Sequence, residues 1–275
     1  MTLDNLATSV KVSETQLPEL HALLVEAAEI LDLPNVPVLY VKQNPQPNAY
    51  TMAMNGDQPF IVVHSSLLAL CDAAETQAVL AHEMGHLKAE HGIWLSLGNL
   101  AGAVSSTVPL VGDALEALAT RQLQEWQRAA EYSCDRAALL VAQDSSVVAS
   151  ALLKLVGGGG VIGGRQQQQG GGAISVEAFL EQAEQYNEAL RKASPAVRTS
   201  FGAANAPRTH PLPIMRIAEL DRWAKGSEFH GIVKRAEVAA ATAAAVAVAA
   251  ARGGEGEGET VVMEETPEPS AASSA

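Results

Sequence analysis

In residues 15–34, TQLPELHALLVEAAEILDLP, apolar positions at Leu20, Leu23, Leu24, Ala27, Ala28 and Leu31 recur at three- and four-residue spacing. That pattern predicts an amphipathic helix ending before Pro34. The period then shortens. VPVLYVK (36–42), NAYTMAM (48–54) and PFIVVHS (59–65) are short runs rich in β-branched and aromatic residues, separated by Pro, Asn and Gly-Asp turn signals, and they predict a small antiparallel-capable sheet. From Ala73 the helical period returns and runs to Gly92, a helix stop. A long helix follows from Asp113 to about Gln143, carrying Leu115, Leu118, Leu123, Trp126, Ala130, Cys134 and Ala137 near helical spacing, and a second reaches Val156. Helices at 175–192, 211–225 and 228–252 complete the pattern, the last strongly Ala-rich. The fold class is α+β, mainly helical, with a small sheet bordering the 73–92 helix.

Three stretches break the periodicity. Residues 92–112 carry no charge over about the length that spans a bilayer. Their Asn, Ser, Thr, Pro and Gly content and the absence of a Lys/Arg-rich flank favour a buried helical hairpin or an interfacial segment over a span. GGGGVIGGRQQQQGGG, 157–172, reads as a flexible insertion and lacks the G-K-[ST] of a phosphate cradle. The acidic Pro/Ser/Gly-rich 253–275 reads as a disordered tail. The predicted organisation is thus one domain over 1–225, an Ala-rich helix over 226–252 and the tail.

Composition narrows the partners. With 31 acidic against 18 basic residues the net charge is −13, and no dense Lys/Arg cluster offsets it, which argues against nucleic acid as a partner. Cys71 and Cys134 are too few for a disulfide framework and point to a reducing compartment. MTLDNLATSV shows neither the basic nor the apolar region of a secretory signal.

The chemistry concentrates in VLAHEMGHLKAEHG, 79–92. On a helix, residues four apart share a face at about 6 Å, so His82 and His86 can converge on one metal ion. Glu83, a step round the helix, is then placed to act as a base toward a water on the metal rather than as a ligand. A longer H-E-x-x-H-x-x-G-x-x-H pattern is excluded, because Ala89 and Gly92 stand where Gly and His would be needed. His91, five residues past His86, points away from the metal face of a continuous helix and reads as solvent-facing. Two histidines need a third ligand. RAAEYSCDRAALL supplies Glu131 and Asp135 four apart among small and apolar neighbours, where burying two acids is costly unless a cation is present. Glu131 is assigned as the third ligand and Asp135 as the acid that orients a ligand histidine. Cys134, between them, reads as a buried small residue whose thiol could make the site oxidation-sensitive.

AVLAHEMGHLKAEH, EYSCDRAAL some 45 residues later, and then THPLPIMRI resemble, in this order, the gluzincin zinc metallopeptidases of family M48, which include the CAAX prenyl protease and HtpX-type proteases. The likeness extends over roughly residues 10–225, and PNAYTMAM, PFIVVHSSLLAL and CDRAALLVAQD are similar to a plastid-type branch found in plants, algae and cyanobacteria. The resemblance implies a zincin fold and a metalloendopeptidase acting on protein or peptide substrates, with one Zn2+ per chain held by His82, His86 and Glu131. It implies Glu83 as general base, Asp135 behind the ligands, and His210 approaching the metal as a transition-state donor or regulatory ligand with Arg216 nearby. It also implies that Asn48 and Ala49 lie on an edge strand that binds substrate, and it suggests a chloroplast location. The membrane-embedded relatives' transmembrane helices have no clear counterpart here, so a prenylated substrate is not expected, while peripheral contact with a lipid surface through 92–112 is. The rival reading from another class is a non-catalytic, zinc-stabilised scaffold or chaperone-like protein at a membrane or lipid surface; a second rival keeps the chemistry but trims short peptides.

Overall fold

Pro18 opens α2 (Pro18–Ile30), where a missing N–H costs nothing because the first turn has no intrahelical acceptor for it. Before it come α1 (Thr2–Thr8) and β1 (Val10–Lys11), and after it β2 (Val38–Lys42), β3 (Ala49–Met52) and β4 (Phe60–His64). The computed structural model describes residues 2–53, 58–92, 95–98, 100, 112–157, 175–205 and 210–253.

The sheet order is β1-β2-β4-β3. β4 lies between β2 and β3 and all five of its residues are buried, which is why FIVVH reads as a continuous apolar run instead of alternating. The small sheet is mixed: β3 pairs antiparallel with β4, but β2 runs parallel to it, with Val38 opposite Phe60 and Lys42 opposite His64. The chain leaves β2, lays β3 down at the edge and returns between the two. β1, too short to carry a sequence period, pairs antiparallel with β2.

Helix α3 (Ser65–Leu70) leads to α4 (Ala73–Lys88), which opens on a capping box: Asp72 accepts from the Glu75 backbone N–H while the Glu75 carboxylate accepts from the Asp72 N–H. Such a cap contributes ~1 kcal/mol. Buried Glu75 also accepts from Ser150 Oγ at 2.6 Å and Lys154 Nζ at 2.5 Å, tying α4 to α6 (Ser145–Val156). Helix α4 packs most extensively on α5 (Gly112–Ala142). Next come α7 (Val176–Lys192), α8 (Pro195–Asn205) and α9 (Pro213–Ala224). Helix α8 was not predicted, since PAVRTSFGAAN is too rich in small and polar residues to show a helical stripe. The chain divides after Phe229 into two units, and the described part of the second is the remainder of α10 (Ser227–Gly253).

The predicted stop at Gly92 is also corrected. Helix α4 ends at Lys88, and Glu90, with φ 52°, turns the chain before a further helical stretch begins at His91. Most of the uncharged 92–112 segment, the Gly/Gln-rich insertion beyond Gly157 and the acidic tail beyond Gly253 lie outside the described residues. Among the described residues no helix is long and apolar enough to cross a membrane.

Candidate metal centre

At the crossing of α4 and α5, the rings of His82 and His86 stand one turn apart, with centroids separated by 5.2 Å. Glu131 of α5 faces both. His82 Nε2 is 3.5 Å from Glu131 Oε2, and His86 Nε2 is 3.6 Å from Glu131 Oε1. These separations are too long for good hydrogen bonds. They are close to the roughly 3.3–3.4 Å between neighbouring donor atoms around a tetrahedral ion bonded at ~2.0–2.1 Å.

Behind this face a second set of groups closes the site. His82 Nδ1 lies 3.1 Å from Asp135 Oδ1. Arg216 of α9 grips Asp135 as a fork, Nε donating to Oδ2 at 2.8 Å and Nη2 to Oδ1 at 2.5 Å, while its Nη1 lies 3.3 Å from Glu131 Oε2. His210, in the turn before Pro211, places Nδ1 2.9 Å from Glu131 Oε1 with its side chain 68% exposed.

Electrostatically the centre is short of positive charge. Glu83, Glu131 and Asp135 are all buried, and Arg216 is the one permanent cation among the described residues lining the cavity they share. Glu131 Oε2 is buried with ion-pair neighbours but no aligned hydrogen-bond donor. Burial works against a charge on His82, yet the neighbouring carboxylates of Asp135 and then Glu131 outweigh it and push His82 up to about 9. The two carboxylates thus favour the protonated form of this imidazole. Burial would raise Glu131, but His210, His82 and Arg216 together hold it well below the usual carboxylate range. Burial and the charge on His82 push His86 down to about 4, so at neutral pH it is a neutral imidazole with a lone pair to give.

This donor set of two imidazoles and an ionised carboxylate suits a divalent cation of the zinc class. His82, His86 and Cys134 also bring ligand atoms within 4.8 Å of one another. Burial, however, raises the Cys134 thiol far above neutrality, and a protonated thiol is a poor ligand. Cys134 is the buried small residue that the sequence suggested, packed under Gly85 of α4.

Glu83 lines a cavity of about 150 Å³ together with Asn48, Ala49, His82, Glu131 and Arg216. Burial raises its pKa, the first requirement for a carboxylate that is to take up a proton near neutral pH. A second cleft, of about 440 Å³, runs past it between Asn48–Thr51 on one wall and His86, Trp126 and Glu131 on the other. The sheet order leaves β3 at the edge, so this wall is an edge strand.

Residues 14–224 match the family model described as Peptidase family M48. The chain belongs to peptidase family M48. It is 49% identical over 236 residues to the protein named plastoglobule-localized metallopeptidase 48, chloroplastic, of Arabidopsis thaliana, covering 86% of this chain and 65% of that protein. Likeness to M48 proteins named Protease HtpX homolog is more local: 29% over 112 residues for Pelotomaculum thermopropionicum and 33% over 98 residues for Moorella thermoacetica, covering 41% and 36% of this chain and 38% and 32% of theirs. The chain therefore spans under two thirds of the length of these curated relatives.

One residue of this M48 site was misread from sequence. His91 is half-buried, not solvent-facing, with Nδ1 3.0 Å from His86 Nδ1 and 3.6 Å from Cys134 Sγ. The sequence argument assumed an unbroken helix. The turn at Glu90 cancels that assumption, and no sequence period marks such a break when the residue is not Gly.

Proposed function

We propose that this M48 chain is a zinc-dependent metalloendopeptidase. The observation that carries the reading is a buried Glu83 beside two imidazoles and a carboxylate, in a cleft walled by an edge strand. His82, His86 and Glu131 would hold the ion. When bound, zinc supplies Lewis acidity, making water a stronger acid and polarising the scissile carbonyl. Glu83 accepts a proton from the attacking water on a carboxylate oxygen and returns it to the leaving amine. Asp135, fixed by Arg216, accepts from His82 Nδ1 and so keeps the Nε2 lone pair turned toward Glu131. His210 rests on Glu131 and, being exposed, can swing to donate to the oxygen that becomes negative in the transition state. Asn48 and Ala49 offer backbone groups to an extended peptide, which joins β3 as an added strand.

The test is casein hydrolysis by the wild type, by Glu83→Gln and by chelator-treated protein, with zinc quantified in parallel. Cleavage lost in both altered samples while Glu83→Gln retains about one zinc per chain supports the reading. Zinc bound with no cleavage by the wild type turns it toward the zinc-stabilised scaffold.

For location, we infer a plastid lipid surface. The Arabidopsis relative carries that location in its name. In this chain Leu97, Leu100, Leu115 and Leu118 are all exposed on either side of the uncharged 101–111 stretch, as an interfacial contact requires.

A further inference from the structure

We propose that His91 is a positioning residue that fixes the tautomer of His86, as Asp135 does for His82; the inference rests on the reading of His86 as a metal ligand. Two imidazole nitrogens 3.0 Å apart, as His86 Nδ1 and His91 Nδ1 are, share one hydrogen: one donates and the other accepts. His86 turns Nε2 toward Glu131, the face on which the ion would sit. If its hydrogen lies on Nδ1, His91 Nδ1 accepts it and the Nε2 lone pair is free. If its hydrogen lies on Nε2, that lone pair is gone and the ligand is blocked. With its own hydrogen on Nε2, His91 presents Nδ1 as the acceptor and selects the first arrangement.

The acceptor is held from three sides. Its ring stands edge-on to His86 at 5.1 Å and 75°, and edge-on to Trp126 of α5 at 5.3 Å and 89°. Buried Cys134 brings Sγ to 3.6 Å from the same Nδ1. Glu90, in the left-handed region at φ 52°, turns the chain so that His91 swings back over the helix it has just left. Strain of this kind recurs where a site needs an exact orientation. The two histidines of one motif thus receive unlike partners, an anion fixed by Arg216 for His82 and a neutral imidazole braced by Trp126 for His86.

The experiment compares His91→Leu, which removes the acceptor, with His91→Asn, whose Oδ1 can stand in for Nδ1. Zinc affinity is read by chelator competition, the visible spectrum is read after cobalt substitution, and the unfolding midpoint of the metal-free protein monitors the fold. The expected result is zinc binding weakened about 10- to 100-fold in His91→Leu with a shifted cobalt spectrum, recovery to within a few-fold of wild type in His91→Asn, and metal-free midpoints alike in all three. Wild-type zinc affinity in His91→Leu, or equal loss in both variants, overturns the proposal. His86→Ala run alongside separates the two levels: if it too binds zinc like the wild type, the ligand reading itself has failed.

Discussion

Gly85 of α4 lies so close beneath Cys134 of α5 that a Cβ added to it would stand 3.0 Å from the Cys134 Cα and 3.1 Å from the Ala137 Cβ. The obstruction is partly backbone, so it cannot be relieved by a rotamer change. Because Gly85 sits between the two histidines and Cys134 between the two acids, this contact sets the distance between the halves of the proposed metal centre. Gly85→Ala is expected to destabilise the chain by about 1–3 kcal/mol and to weaken zinc binding by moving Glu131 outward. Urea unfolding and chelator competition check both effects; wild-type zinc affinity in a measurably destabilised variant would separate packing from the site.

Arg216 is the second control point. Its fork on Asp135 and its contact with Glu131 serve two buried acids with one charge. Arg216→Met strands them, and the expected cost to the metal-free protein is about 3–5 kcal/mol. Arg216→Lys keeps the charge but loses the planar fork, so an intermediate loss is expected. Urea midpoints with and without zinc report both, and equal midpoints for Met and Lys would refute the geometric part of the claim.

Stripped of metal, the protein should be most stable near pH ~6.5, the ordinary histidine value. His82 lies at about 9 in the folded chain, above its unfolded value, so its contribution is complete below ~6.5 and is lost as pH rises through about 9. His86 works in the opposite direction: held at about 4, it resists the proton that the unfolded chain accepts, so stability also falls as pH drops from ~6.5 toward about 4. Thermal midpoints of chelator-treated protein across this range should trace a dome that flattens on its alkaline side when zinc is restored. A metal-free midpoint unchanged from ~6.5 to about 9 would refute the assignment to His82.

The turn at Glu90 predicts an unusual pair of outcomes. Glu90→Gly relieves a positive φ and should leave stability unchanged or raise it by up to ~1 kcal/mol, whereas Glu90→Val should lower it by about 1–3 kcal/mol. Differential scanning calorimetry distinguishes them. Equal effects would mean that the left-handed conformation is not maintained in solution.

At the lipid surface, Leu115→Ser combined with Leu118→Ser should reduce co-flotation with neutral lipid droplets several-fold, each exposed leucine contributing about 1.5–3 kcal/mol when fully buried. Casein cleavage should be unaffected. Unchanged flotation would remove these leucines from any lipid contact.

Much of the centre was legible because its parts are local and periodic. His82 and His86 are four apart on one helix, and Glu131 and Asp135 repeat that spacing on another, among small neighbours that leave two acids in need of a cation. What the sequence hid is what depends on a break or on distant pairing. His91 joins the site only through the turn at Glu90, which carries no Gly to announce it. The parallel pairing of β2 with β4 places β3 at the edge, and strand periodicity alone cannot order strands. His210 and Arg216 came from resemblance, since an exposed histidine before a proline and one arginine in an amphipathic helix look like ordinary surface residues.

Arg216 follows Asp135 by 81 residues and His82 by 134. A chain still being synthesised therefore presents both the histidine helix and the acid helix well before the guanidinium that balances them has left the ribosome. Until then the two carboxylates lack their fixed counter-charge. Charge balance at this helix crossing is therefore the last thing that the order of synthesis supplies.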